Sequence, residues 1–232
     1  MKIRNWLTPI LAIGFAAGAC GQQVAAPPVK PASSGPTLLE TMQFIQEKLS
    51  QQGQVAWAET MSNQPGLTLR MFVNVSDVMA DPGACALYTT FTIDSTIELP
   101  KGRVLKPGGS VTADDLHTQT METDTTPFKQ VEKITVEKKQ DAENQALAEA
   151  AHPEITVTLA PPVFYVKLWA SSALFSAHTS TTKGTHTPVE KDATSKTGGF
   201  VIRDEETANK VAKAMTHAME LCGGGVVKKE LF

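Results

Sequence analysis

A helix is predicted where the apolar positions first recur at helical spacing. Thr37, followed three residues later by Glu40, forms a capping box. The apolar residues after it stand four, three and four positions apart, and Gly53 ends the pattern. We therefore predict a helix of about 14 residues. Its apolar face consists of Leu38, Met42, Ile45 and Leu49.

From Val55 the apolar period falls to two, which predicts strands. Every second residue is apolar in Leu67–Val75, and one phase of Cys85–Leu99 is again mostly apolar. Asp81–Gly83, a DPG sequence, separates the two runs and is typical of a turn. We predict antiparallel strands here, with one face in water and Cys85 on the buried phase.

The middle of the chain gives less regular patterns. Residues 117–127 (HTQTMETDTTP) predict a polar, threonine-rich loop or edge, and residues 99–111 a Pro/Gly connection. Ile134 and Val136 point inward from a predicted strand. Residues 141–153 predict a short surface helix, capped by Asp141 and stopped at Pro153.

Strands resume over residues 154–180, and residues 181–199 predict a long polar loop before a last strand at 200–203. A terminal helix follows, opening with three acidic residues that suit the helix dipole and stopping at Gly223. Cys222 ends its apolar stripe and could meet Cys85 if the helix crosses the sheet. The stripe consists of Ala208, Val211, Ala212, Met215, Met219 and Cys222.

This order of elements predicts an α+β fold, an antiparallel curled sheet or partial barrel packed by the C-terminal amphipathic helix, with an N-terminal helix. It resembles the pleckstrin-homology-like superfold, which implies architecture only. The segments TMQFIQEKL and ANKVAKAMTHAMELCGGG and the DPGAC turn resemble those of uncharacterised bacterial envelope proteins, a likeness that implies no activity.

The N-terminus has the pattern of an export signal. Lys2 and Arg4 precede an apolar run, Trp6–Ala17, which is too short for a membrane span of roughly 20 residues. The small residues AGA at 17–19 then lead to Cys20, and a stretch rich in Pro, Ala and Ser follows to residue 36.

These residues resemble the lipobox of bacterial lipoproteins, which implies a signal peptide at 1–19, a lipid on Cys20 and a tether over 20–36. The family usually has Leu where this chain has Ala17, and AGA also fits ordinary secretion without a lipid. By the resemblance, Gly21 implies outer-membrane sorting in a Gram-negative organism. We predict a single domain over residues 37–222 and a tail over 223–232.

The predicted location bears on how the cysteines pair. If Cys20 carries lipid, Cys85 and Cys222 remain as an even pair in an oxidising compartment and can form a disulfide. The alternative is two separately buried thiols, which behave as small hydrophobes.

Composition excludes some function classes. Hydrophobic residues make up 41% of the 232 residues and charged residues 19%, as in globular proteins. Without Lys2 and Arg4 the chain has 19 basic and 24 acidic residues, so it lacks the basic surface that nucleic-acid binding needs.

No motif for catalysis, metal or cofactor binding stands out. His178 and His186 have no carboxylate at ligand spacing, and His217 lies five residues before Cys222, off its helix face. His117 and His152 lie in or beside loops. We expect Asp114 and Asp115 to lie in a solvated turn, and the sequence has no motif of a phosphate-binding loop, nucleophile elbow or zinc-protease helix.

We therefore predict a non-enzymatic envelope lipoprotein, held on the membrane by its lipid anchor and binding an envelope protein. A soluble secreted protein is the alternative location. One alternative function is a carrier with an apolar ligand inside the curled sheet, which needs a sizeable cavity. Another is an enzyme with a scattered site that includes Asp114, Asp115 or His178, which needs a pocket with perturbed pKa values.

Overall fold

The computed structural model of the protein describes residues 35–100 and 116–225. The described residues from Pro36 onward belong to one compact unit. Several predicted features lie outside the described residues. At the N-terminus these are the signal peptide, Cys20 and all but the last two residues of the tether. Further along they are most of the Pro/Gly connection, Asp114 and Asp115, and residues 226–232 of the tail.

Within these ranges the chain forms three α-helices and ten strands, with a short 3-10 turn at Phe128–Gln130. The helices are α1 (Leu38–Gln51), α2 (Lys139–Glu149) and α3 (Glu205–Leu221). The strands are β1 (Gln54–Met61), β2 (Thr68–Asp81), β3 (Ala86–Glu98), β4 (His117–Pro127), β5 (Lys133–Lys138), β6 (Val157–Ala160), β7 (Phe164–Trp169), β8 (Phe175–Lys183), β9 (Val189–Ser195) and β10 (Thr197–Ile202).

The strands form two antiparallel sheets. The larger has the order β6-β1-β2-β3-β4-β8-β9, and the smaller has the order β10-β7-β5. Helix α1 contacts β2 and α3, and α3 contacts the small sheet. The predicted α+β class, the antiparallel sheet and the two packing helices are confirmed, and the described strands do not close into a barrel.

One continuous core joins the helices to both sheets. Met42, Ile45 and Leu49 of α1 are fully buried, as their spacing predicts. The rings of Phe91 in the large sheet and Phe200 in the small one lie 5.9 Å apart between centroids, so the two sheets share this core. Helix α3 contributes the predicted stripe, to which the structure adds Ala218. Its fully buried members are Ala208, Val211, Met215 and Ala218.

A disulfide joins Cys85 to Cys222, which confirms the predicted pair. Cys85 ends the β2–β3 turn with a φ of 55°, and its carbonyl accepts a hydrogen bond from the Phe128 amide at 2.9 Å. The bond closes a loop with a sequence separation of 137 residues. A loop of that length stabilises the fold by about 5 kcal/mol in the chain-entropy treatment.

The glycines after Cys222 end α3 in a Schellman motif. Gly223 has a φ of 78°, and its amide donates to the Glu220 carbonyl at 3.0 Å. The Gly224 amide donates to the Met219 carbonyl at 2.8 Å. A side chain at Gly224 would collide with the Phe128 carbonyl, so the close approach of the helix end to this turn requires glycine.

Helix α2 covers the outer edge of β6. The Asn144 side chain donates to the Val157 carbonyl at 3.2 Å and accepts from the Val157 amide at 2.7 Å. Gln140 accepts from the Leu159 amide at 2.9 Å. These bonds satisfy backbone groups that an edge strand leaves open. The helix is a surface helix as predicted, but it begins after Lys138, so Asp141 lies in its first turn and not at the cap.

Two polar stretches, one predicted as a loop or edge and the other as a loop, are strands with partners in the sheets. Residues 117–127 form β4, which pairs with β3 on one side and β8 on the other. Residues 181–199 contain the end of β8, all of β9 and the start of β10. Threonine favours strands through its branched Cβ, and pairing to a neighbouring strand satisfies the backbone without an apolar phase in the sequence.

Candidate functional site

A groove of about 790 Å³ lies between α1 and α3. Two contacts show that the helices run in opposite directions. His217 Nε2, in the C-terminal half of α3, lies 3.0 Å from the Pro36 carbonyl ahead of α1, while Arg203 donates to the Gln52 carbonyl just after α1. The residues that line this α1–α3 groove are Pro36, Glu40, Thr41, Phe44, Lys210, Lys213, Ala214, Thr216, His217 and Glu220.

The floor of the α1–α3 groove is apolar and its rim is charged. Phe44 of α1 is only partly buried, and Ala214 of α3 leaves space in the same groove because its side chain is short. The groove positions of α3 fall at helical spacing beside the buried stripe, so one face of α3 serves the core and the adjacent face the groove.

Some charges on the rim already have partners. The Glu40 carboxylate accepts from the Thr37 amide at 2.7 Å and from its hydroxyl at 2.8 Å, and these bonds lower the Glu40 pKa. Lys210 Nζ lies 2.5 Å from Glu206, and this hydrogen bond raises the Lys210 pKa.

Two rim charges have no hydrogen-bond or ion-pair partner within residues 35–100 and 116–225, namely Lys213 and Glu220. Both side chains are exposed. They stand seven positions apart on α3, which places them about 10 Å apart along the helix axis. Among the described residues, the groove therefore has one unpaired cation and one unpaired anion beside the same apolar floor.

A pair of carboxyl groups lies on the inward face of β4. Asp124 and Glu122 occupy alternate positions there and are partly buried. Burial, followed by the charge and hydrogen bond of Glu122, raises the pKa of Asp124 to about 7. One Asp124 carboxyl oxygen is buried and has no hydrogen-bond partner among the described residues, and the same holds for the hydroxyl of Thr89 directly opposite.

The same two carboxyl groups affect the pKa of Tyr165. Burial and the nearby charges of Asp124 and Glu122 raise the Tyr165 pKa to about 12. A carboxylic acid that is protonated near neutral pH can donate a proton, which is why such groups are candidates for acid–base chemistry. The clefts of about 790, 490 and 480 Å³ are all lined by other residues.

His178 has carboxylate neighbours that its flanking sequence did not reveal. Its Nδ1 lies 2.7 Å from Asp192 and its Nε2 3.2 Å from Glu190, both on β9, because the strand register places β9 beside it. The hydrogen bond to Asp192 is the main cause that raises the His178 pKa. All three side chains are exposed, so this is a surface ion pair.

The remaining histidines form no common site. His117 lies 3.9 Å from Asp94, and His152 lies 3.5 Å from Glu154. His186 lines the cleft of about 480 Å³ between β8 and β9. In the part of the chain that the structure describes, no group of three or more His, Cys, Asp or Glu side chains could hold a metal ion.

The sequence did not predict the α1–α3 groove, although it predicted both helices. It also did not predict the contact between His217 and Pro36 or the carboxyl pair of β4. Cys222 is bonded to Cys85, so it cannot act as a nucleophile with His217.

Comparisons with known proteins find no match, whether with family models, curated proteins or solved structures. Among the described helices, none has the length and apolar character needed to cross a membrane.

Proposed function

We propose that this protein is a non-enzymatic lipoprotein of the cell envelope that is anchored through Cys20 and binds another envelope protein in the α1–α3 groove. The observation that carries the proposal is the groove itself, with its apolar floor and two rim charges, Lys213 and Glu220, that are unpaired among the described residues. Contiguous apolar surface with a polar rim is typical of interaction sites.

The disulfide supports a location outside the cytoplasm. Cys85–Cys222 is a bond of the kind that persists in oxidising compartments and is rare in the cytosol. Pro36, the last residue of the proposed tether, also lines the groove. A tether of this length extends to about 60 Å at most, so the groove would stay near the membrane that holds the lipid.

The anchor is tested by the intact mass of protein purified from membranes, with and without reduction. We expect a chain that begins at Cys20 and carries a diacylglyceryl group. Reduction should increase its mass by the two hydrogens of one reduced disulfide. Cys20→Ser is the control that should lose the lipid. An uncut chain, or a cleaved chain without lipid, would contradict the anchored form.

The binding surface is tested by photocrosslinking in intact cells. A photoreactive residue at Phe44 should give a discrete adduct with one envelope protein, because this side chain lies in the groove. The same residue at Lys191, an exposed position on β9, is the matched control. Equal adduct patterns from the two positions would count against the groove.

The carboxyl pair of β4 supports a second candidate function, acid–base catalysis with Asp124 as the acid. Its support is the raised Asp124 pKa beside Glu122 and Tyr165. The large clefts lie elsewhere, so the groove carries the stronger argument. If Asp124 is catalytic, the wild-type protein has an enzymatic activity that Asp124→Asn abolishes. Variants of the groove should retain that activity.

A carrier of an apolar ligand needs a cavity inside the curled sheet. In the described residues the space between the sheets and helices is filled by one continuous core. The cleft with an apolar floor lies on the outside, between two helices. This placement favours a surface partner over an enclosed ligand.

A further inference from the structure

We propose that the α1–α3 groove binds an amphipathic α-helix whose apolar stripe is flanked by one acidic and one basic side chain about two turns apart. The acidic side chain would pair with Lys213 and the basic one with Glu220. This inference rests on the proposed function and names the chemistry of the partner.

The shape of the groove fits a helix. Two antiparallel helices leave a furrow along their line of contact, and a third helix can pack its side-chain ridge into such a furrow. The lining residues of α3 run from Lys210 to Glu220, about 15 Å along the axis, which matches three turns of a partner helix. Phe44 and Ala214 provide a bulky and a small position on the floor, so side chains of the partner can interdigitate.

The charges select this partner over an anionic membrane surface. Lys210 is already paired with Glu206, which leaves Lys213 as the rim lysine without a partner in the described part of the chain. Glu220 lies about 10 Å from Lys213 along the helix axis and Glu40 also lines the groove, so an anionic lipid layer would meet like charges there. A helix with one acid and one base can satisfy both rim charges at once.

The test uses three synthetic peptides, each a single helix of about 18 residues with the same apolar stripe. The two flanking positions, seven residues apart, carry Glu and Lys, two Lys, or two Glu. Fluorescence anisotropy on the disulfide-bonded protein measures the affinity for each peptide at low salt.

Wild-type protein should bind the mixed peptide about five-fold more tightly than either like-charged peptide, as expected for rim ion pairs. Lys213→Glu should shift the preference to the two-lysine peptide, and Glu220→Lys to the two-glutamate peptide. Phe44→Ala should weaken all three peptides without changing their order. Lys191→Glu, on β9, is the matched charge reversal that should leave the order unchanged. Circular dichroism confirms that each variant is folded.

The inference is overturned if no peptide binds, or if the charge reversals leave the peptide preference unchanged. It is also overturned if vesicles containing phosphatidylglycerol bind in a Lys213-dependent manner while the peptides do not. An envelope adduct at Phe44 together with a negative peptide series would reject the helical partner and leave the proposed function standing. Preference for the mixed peptide, followed by both predicted switches, supports it.

Discussion

The two halves of the large sheet share one hydrogen-bond ladder but differ in what stabilises them. In β1, β2 and the start of β3 the inward positions are apolar and buried under the core, as at Val55, Val73 and Leu87. In β4 and β8 many of the corresponding positions are threonines and carboxylates, as at Thr120 and Glu122, and β9 is exposed along its whole length.

The difference shows that backbone pairing and apolar burial are separable. Once the core fixes β3, a neighbouring strand gains backbone hydrogen bonds without adding an apolar face. Side-chain bonds add to this pairing, such as the hydroxyl contact of Thr120 and Thr181 at 3.1 Å. The apolar half therefore sets the stability of the fold, and the polar half can respond to its surroundings.

The largest predicted effect comes from removing the disulfide, which links the apolar half of the sheet to α3. Replacing both Cys85 and Cys222 by Ser should lower the free energy of unfolding by about 3–5 kcal/mol, since the long loop is no longer closed in the unfolded chain. Urea denaturation measures the change. Reduced wild-type protein should match the double variant, and a loss below about 1 kcal/mol would contradict the entropic role of the bond.

A matched pair of truncations compares the halves directly. Leu87→Ala should cost about 3 kcal/mol because Leu87 is fully buried. Thr120→Ala, on the same face of the neighbouring strand, should cost less than about 1 kcal/mol. Both free-energy losses are measured from the midpoints of denaturant unfolding, provided that the dependence of the free energy on denaturant concentration is the same in each variant. Equal losses would mean that the polar half is packed as tightly as the apolar half.

The contrast between the halves also explains what the sequence could predict. Helices α1 and α3, and the disulfide between Cys85 and Cys222, followed from apolar residues at helical spacing and an even pair of cysteines. The sequence predicted a loop or edge at β4 and not an internal strand, because the inward Thr120 and Glu122 are as polar as the outward positions. The groove and the raised pKa of Asp124 depend on helix packing and strand register, which one segment does not encode.

An intermediate effect concerns the protected edge of the sheet. Asn144→Ala removes two hydrogen bonds to Val157 and should lower the free energy of unfolding by about 1–2 kcal/mol. Hydrogen exchange should show faster exchange at the Val157 amide. Gln145→Ala is the neighbouring control, since among the described residues the Gln145 side chain bonds only to Glu149 on the same helix. Similar losses in the two variants would contradict the edge-covering role.

The smallest predicted effect is a dependence of stability on pH that arises in the polar half of the sheet. The Asp124 pKa is raised to about 7 in the folded protein from an ordinary value of 3.8, so the folded state binds a proton that the unfolded state releases between these values. Stability should therefore fall as pH rises from about 4 to 7, by about 1 kcal/mol because solvent screens this half-buried group.

Asp124→Asn should flatten this dependence, as followed by thermal melts at several pH values. The raised pKa of His178 contributes in the same direction, since its stabilisation is lost as pH rises through the folded-state value. His178→Gln therefore serves as the companion variant that separates the two groups. An unchanged pH profile in Asp124→Asn would show that this carboxyl is not the responsive group.

The cover that α2 places over β6 has a consequence for stoichiometry. Since one border of the large sheet is closed by Asn144 and Gln140, the outer side of β9 is the border of that sheet with no strand or helix bonded to it in the described residues. A pairing of β9 with β9 would use the outer side of β9 in both molecules, so growth of the large sheet through this strand would end at two molecules.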